Sequence, residues 1–215
     1  MSINEFLSLM NANGGMSVAN SFVVEILENK DGKPAENGIF EFLCDEAQLP
    51  NVQAATGTIE GRYLGEGQVN YPHTRVFTEV QLGFQCDANM TPLKYLNKWY
   101  GKIFNEEPSS AGYKFQDRPS QTRPSNRSTT LSFPSNYCRT VRITKTELGP
   151  RATEGLRPSV TYLLERAWPF AIDAVPLQFG SNIITKVTCQ LYYTRHTIIH
   201  GDITQSIPVP SPSTN

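Results

Sequence analysis

A chain of 215 residues with a formal net charge of −1 has room for one domain of ordinary size. Charged residues make up 18% and the chain holds 15 Gly and 15 Pro, which excludes a charged disordered tail, a coiled coil, a collagen-like chain and a low-complexity one. No run of 18 apolar residues is present, so no membrane-spanning helix is expected, and MSINEFLSLMNANGG has no basic region ahead of an apolar one and does not read as a secretory signal.

In chain order the pattern is mostly β. Residues 22–27 (FVVEIL) are β-branched and aromatic, Asp31-Gly32-Lys33-Pro34 is a turn signal, and 39–44 reads as the return strand, giving a hairpin over 21–44. A second hairpin is expected over 56–71, with strands 56–64 and 68–71 around Gly65-Glu66-Gly67. Its sequence, TGTIEGRYLGEGQVNY, reads as polar and Gly-rich on both faces. Such a pair has little to bury in its own core and suits pairing with something else.

Residues 75–86 alternate, with Val76, Thr78, Val80, Leu82, Phe84 and Cys86 on one side, as a half-buried strand does. Thr91-Pro92 reads as the N-cap and first residue of a helix running to about Phe104. Its expected core stripe is Leu93, Leu96, Tyr100, Ile103 and Phe104, with Lys94, Lys98 and Lys102 opposite. Residues 105–136 read as a long insertion loop, 137–148 and 160–168 as strands, the latter ended by Pro169, and 183–193 as the last long strand. One domain over 1–197 is expected, followed by a flexible Pro/Ser-rich extension over 198–215.

Charge is unevenly spread. Residues 1–90 carry 12 Asp/Glu against 4 Lys/Arg, a net of −8, and residues 113–145 carry 7 Lys/Arg against one Asp, a net of +6. The basic stretch, with Tyr113, Phe115, Phe133 and Tyr137, is the pattern of a nucleic-acid-binding module, although the overall charge lacks that footprint. Otherwise the two regions are solvated loops that cancel, or faces of opposite sign that meet between copies.

Chemistry-bearing signals are sparse. Cys44, Cys86, Cys138 and Cys189 are far apart, so buried free thiols are expected ahead of a reactive cysteine or a metal site. His73, His196 and His200 are the 3 histidines, and the i, i+4 pair His196/His200 follows a strand and lacks a third ligand nearby. There is no GxSxG, Walker loop or HExxH. No enzyme activity, catalytic residue, metal or cofactor is expected.

Three segments in order carry a resemblance. They are FEFLCDEAQLP at 40–50, then YPHTRVFTEVQLGF at 71–84 followed by the helix with Asn97-Lys98-Trp99-Tyr100, then LERAWP at 164–169 leading to VTCQLYY at 187–193. Over roughly residues 20–195 this order resembles the tail tube proteins of contractile-tailed, T4-like bacteriophages. The resemblance implies an antiparallel β-sandwich or small barrel with one flanking helix, an extended hairpin and a long loop. It also implies a structural virion protein of the phage tail, made in the host cytoplasm. Six copies would form a ring, rings would stack into the inner tube inside the contractile sheath, and DNA would pass through without sequence-specific binding. The implied partners are further copies of the chain and the sheath, baseplate, tail terminator and tape-measure proteins, without membrane insertion. A tube-initiating baseplate protein of the same fold is the alternative within the class.

On that reading the hairpin supplies the inter-subunit or lumen contacts, with Thr58, Glu60, Arg62, Tyr63, Glu66 and Gln68 as candidates and Leu49 and Pro50 setting the entry into it. Arg118, Arg123 and Arg127 are candidates for ring–ring or sheath contact.

Overall fold

The computed structural model describes residues 2–12, 15–28, 34–60, 67–104, 131–148, 156–180 and 184–200. The elements are α1 (Ile3–Ala12), β1 (Phe22–Leu27), a 3₁₀ turn (Ala35–Gly38), α2 (Ile39–Leu43), β2 (Cys44–Ala47), β3 (Gln53–Glu60), β4 (Gln68–Val76), β5 (Val80–Gln85), α3 (Thr91–Ile103), α4 (Pro134–Tyr137), β6 (Arg139–Leu148), β7 (Leu156–Ile172), β8 (Lys186–Tyr192) and β9 (Arg195–His200).

Seven strands pair antiparallel in the order β1-β6-β7-β8-β5-β2, with β9 also on β7. The long β7 serves two neighbourhoods. Its residues 160–165 pair with β9, residues between 156 and 167 pair on the other edge with β6, and Trp168 to Ile172 pair with β8. Arg166 between them has φ 55, a left-handed conformation that turns the strand from one part of the sheet to the next. Pro169 therefore does not end the strand as expected. It sits at a register shift, where the ladder tolerates a residue without an N–H. The two ends of the strand order, β1 and β2, approach one another, and α2 packs on β1 and β5, so the sheet curls into a small barrel.

One core fills it. Val24, Ile26, Val80, Leu82, Phe84, Val141, Ile143, Leu164, Val187, Cys189 and Leu191 alternate inward along the strands and are fully buried. Each large one contributes about 1.5–3 kcal/mol of burial. Helix α3 covers β7 and β8 through Tyr95, Leu96, Trp99 and Ile103. The face is rotated from the expected stripe: Leu96 and Ile103 are core, Leu93 is half-buried and Tyr100 is exposed. Arg139 of β6 fixes that rotation. Its guanidinium lies 5.1 Å from the Tyr95 ring centre and 5.3 Å from that of Trp99, donates to the Tyr95 hydroxyl, and pairs with Glu28 at 3.0 Å. The Trp99 indole N–H donates to the Tyr137 carbonyl at 2.6 Å. The helix starts one residue earlier than expected, with Met90 as its cap, and the Asp87 carboxylate takes both the N–H and the hydroxyl of Thr91.

Three further expectations are corrected. Residues 39–43 are a helix and not the return strand of a hairpin: Gly38 takes φ 81, and Phe40 drops into the core against Phe84 and Tyr95. β2 then pairs with β5, not β1. The strand expected over 75–86 is two: Arg75 and Val76 close β4, and β5 begins at Val80. The last strand, β9, carries the sheet to His200, past the boundary expected at 197. The turn at 31–33, the insertion over 105–130 and the chain from 201 onwards lie outside the described residues.

Candidate assembly surface

Strands β3 and β4 form a two-stranded sheet of their own, apart from the barrel. The hairpin is longer than the expected 56–71. It is paired from Gln53↔Val76 to Glu60↔Gln68, with a register shift that leaves His73 as the extra residue of a bulge. Apart from the half-buried Ala55 and Gly57, every residue of the two strands is exposed. A lone two-stranded hairpin is marginal in water. Among the described residues nothing gives this one the layer a hairpin needs to lie on.

The register sorts its residues in a way the linear sequence concealed. Directly opposed residues share a face, so Ile59↔Val69, Gly57↔Tyr71, Ala55↔Thr74 and Gln53↔Val76 form one row. Thr58↔Asn70, Thr56↔Pro72, Glu60↔Gln68 and Ala54↔Arg75 form the other. The first face is largely apolar, with Ile59 49% and Tyr71 42% exposed, and the second is largely polar. The expectation of two polar faces is thereby corrected. The Tyr71 ring lies across Gly57, where an added Cβ would come within 2.8 Å of it, so glycine is what lets the ring lie flat on the strand.

The root of the hairpin is anchored by rings. Phe77 lies 5.7 Å from Tyr193 and 5.2 Å from His196, and Tyr162 lies 5.8 Å from His196. Arg75 stands 6.0 Å over the Phe77 ring. His196 is 8% exposed, and its Nδ1 and the Tyr193 hydroxyl are the buried side-chain polar atoms without a hydrogen-bond partner among the described residues. Burial, and then the positive charge of Arg75, hold the His196 pKa below its ordinary value, so the ring is neutral here. A groove of about 460 Å³ opens beside this root, lined by Val52, Ala54, Pro72, His73, Thr74 and Arg75 among others.

Of the sequence-derived candidates, Thr58, Glu60 and Gln68 lie together on the polar face near the hairpin tip, all exposed. Pro50 is buried and Leu49 exposed on the segment leading into β3. Arg62, Tyr63, Glu66, Arg118, Arg123 and Arg127 lie outside the described residues. The apolar row of Ile59, Val69, Tyr71 and Val76 was missed by sequence reasoning. Its signal was the alternation in TGTIE and QVNY, which only the register joins into one face.

The basic stretch is largely neutralised where it is described. Arg139 pairs with Glu28, Arg142 with Glu25 and Lys145 with Glu147. Two of those carboxylates come from the acidic first 90 residues, so part of the sequence asymmetry cancels inside one chain. The four cysteines are free. Cys138 and Cys189 are buried, and burial pushes the Cys44 thiol up to about 12, which makes it inert. No helix among the described residues is long and apolar enough to cross a membrane.

Among curated proteins, none matches the chain. Solved structures with the same fold include a chain of the anti-feeding prophage (AFP) baseplate, 13% identical with a TM-score of 0.57, covering 86% of this chain and 97% of that one. A chain of the sheath–tube complex of an extracellular contractile injection system, PVC, in the extended state, is 13% identical with a TM-score of 0.56, covering 94% and 99%. One from the sheath/tube terminator of the same system is 12% identical with a TM-score of 0.53, covering 86% and 96%. The model of the phage tail tube protein family matches residues 15–199, which hold the whole barrel and the exposed hairpin, and the chain belongs to that family.

Proposed function

We propose that this tail tube protein is the subunit of the inner tube of a contractile tail, with six copies in a ring and rings stacked inside the sheath as a conduit for DNA. The observation that carries the reading is the β3–β4 hairpin, apolar on one face, polar on the other and uncovered on both. A monomer gains nothing from such an element, whereas a ring does. The apolar row lies on the next subunit, and the polar row of Thr56, Thr58, Glu60, Gln68 and Asn70 faces the lumen. Among the described residues of that row Glu60 is acidic and Arg75, at the root over the Phe77 ring, is basic, so the stretch of Thr56 to Glu60 and Gln68 to Asn70 offers passing phosphates no cation. Open strand edges become continuations of the sheet between copies. Ring-on-ring stacking is heterologous and therefore open-ended.

In this reading the chain is not an enzyme, and its other partners are the sheath, baseplate, terminator and tape-measure proteins. The ion pairs of Arg139, Arg142 and Lys145 argue against a nucleic-acid-binding module built on 113–145. Negative-stain electron microscopy of the purified protein across a concentration and salt series tests the proposal. Rings or hollow tubes are the expected result. Compact monomers under every condition, and again when supplied with preformed tail baseplates, would contradict it.

A further inference from the structure

Helix α1 is a second uncovered element, and the hairpin does not explain it. Both of its ends are capped. Ser2 and Glu5 form a reciprocal capping box, at 2.7 Å from the Ser2 N–H to the Glu5 carboxylate and 3.3 Å from the Glu5 N–H to the Ser2 hydroxyl. At the other end the Gly15 N–H returns to the Met10 carbonyl at 2.8 Å, with Gly15 at φ 93. Ile3, Phe6, Leu7 and Met10 are spaced i, i+3, i+4, i+7 and make one apolar stripe. None of the residues of α1 is buried, and Ile3 is 79% exposed. A ten-residue helix is marginal in water even when well capped, so one with an apolar stripe needs a surface to lie on. The segment matched by the family model begins at residue 15, so α1 lies ahead of it.

The groove at the hairpin root has the complementary properties. Its volume of about 460 Å³ leaves room for several apolar side chains to lie in an open groove, and Val52, Ala54 and Pro72 give part of it apolar walls. Arg75 is the charged residue among its lining, and it makes no ion pair among the described residues. Glu5 is the charged residue of α1, and it is acidic. The arm does not fill the groove of its own chain, since among the described residues only 52–54 and 72–75 line it.

Resting on the tube reading, we propose that α1 is an exchange arm whose Ile3–Phe6–Leu7–Met10 face seats in the hairpin-root groove of a second copy, with Glu5 beside Arg75. A tube repeats one subunit, so each arm meets the same groove at the same spacing, and the contact is head-to-tail and propagates with the tube. The groove lies at the root of the same hairpin, with Ala54, Pro72 and Arg75 of its polar row in the lining, beside the apolar row assigned to assembly.

The test compares the unaltered chain, a chain lacking residues 2–12, and the double variant Phe6→Asp, Leu7→Asp. All three are expected to melt alike, because α1 is unburied. The concentration needed for tube formation is expected to rise about tenfold or more in both altered chains, the factor that goes with losing a buried large apolar side chain. Position is read by mixing one pool carrying Phe6→Cys with another carrying Ala54→Cys and oxidising the assembled material, with the unaltered chain as the control for the native cysteines. A disulfide-linked dimer that forms only in the mixture supports the arm exchange. An intrachain bond in a chain carrying both changes, with no dimer in the mixture, overturns it, as do equal assembly concentrations with and without the arm. An unaltered chain that never forms rings or tubes overturns the tube reading and the arm exchange together, which separates that failure from the others.

Discussion

The barrel and the hairpin are built from the same kind of strand pairing and come to opposite ends. In the barrel, β5 and β8 bury Val80, Leu82, Phe84, Val187, Cys189 and Leu191 within one chain. In the hairpin, β3 and β4 make a ladder of similar length and leave Ile59, Val69, Tyr71 and Val76 exposed. The difference is the presence of a second layer. β5 has α2 and the opposite wall of the barrel over it, and β3–β4 has no second layer among the described residues. On the proposed reading, a fold that completes its core and still sets aside an amphipathic hairpin divides its apolar surface between folding and assembly.

That division has measurable consequences. Trp99→Ala in the barrel should lower monomer stability by about 3–5 kcal/mol in a denaturant titration, because it removes a fully buried ring, its bond to the Tyr137 carbonyl and one of the two rings around Arg139. The pair Ile59→Asp, Val69→Asp should change the same titration by only about 0.5 kcal/mol, as exposed positions do. It should still raise the assembly concentration about a hundredfold or more, read by sedimentation and microscopy. Large losses of monomer stability in the second variant would place the hairpin in the folding core. A smaller effect is expected from Glu60→Lys with Glu66→Lys, which should slow DNA passage or weaken assembly while the monomer melts normally. Cations at those positions would give phosphates a place to bind, so a gain of salt-dependent DNA binding is the accompanying readout.

The smallest effect concerns the junction of the two regions. His196 is held neutral, with its folded pKa below the ordinary value near 6.5, so the unfolded chain takes up the proton first. Stability is therefore full above that ordinary value and falls as pH drops through it towards the lower folded one. Phe77, Tyr162, Tyr193 and Arg75 face the ring, and none of them is an acid that would welcome its charge. His196→Phe keeps the ring and removes the unpaired Nδ1. It should flatten the fall in melting temperature between about pH 7 and 5 and leave the value at pH 8 nearly unchanged.

Much of this was legible in the chain. The strand at 22–27 announced itself by β-branched and aromatic residues, β5 and β8 by the alternation within 75–86 and 183–193, and α3 by the helix-start chemistry of Thr91-Pro92. The sequence also marked the hairpin as suited to partners. What it hid was pairing. Residues 39–43 have strand-like composition but place Phe40, Ile39 and Leu43 on a helical turn, and the demand for Phe40 in the core outweighed local propensity. The apolar row of the hairpin depended on which residue of β3 opposes which of β4, and the bulge at His73 shifts that by one. The tilt of α3 was set by Arg139, more than thirty residues away in sequence, so no helical wheel reveals it. Helix α1 was readable in principle, since Ser2-Ile3-Asn4-Glu5 is a capping box ahead of an apolar run.

If the tube reading holds, β3–β4 is held folded by assembly and not by its own described residues. Amide hydrogen exchange over residues 53–60 and 68–76, followed in the monomer and again in assembled tubes, tests this most directly. Exchange in the monomer is expected to be far faster than in β5 and β8, with strong protection of both hairpin strands once tubes form. Protection in the monomer equal to that of β5 and β8, or hairpin amides that exchange as fast in tubes as in the free chain, would contradict it.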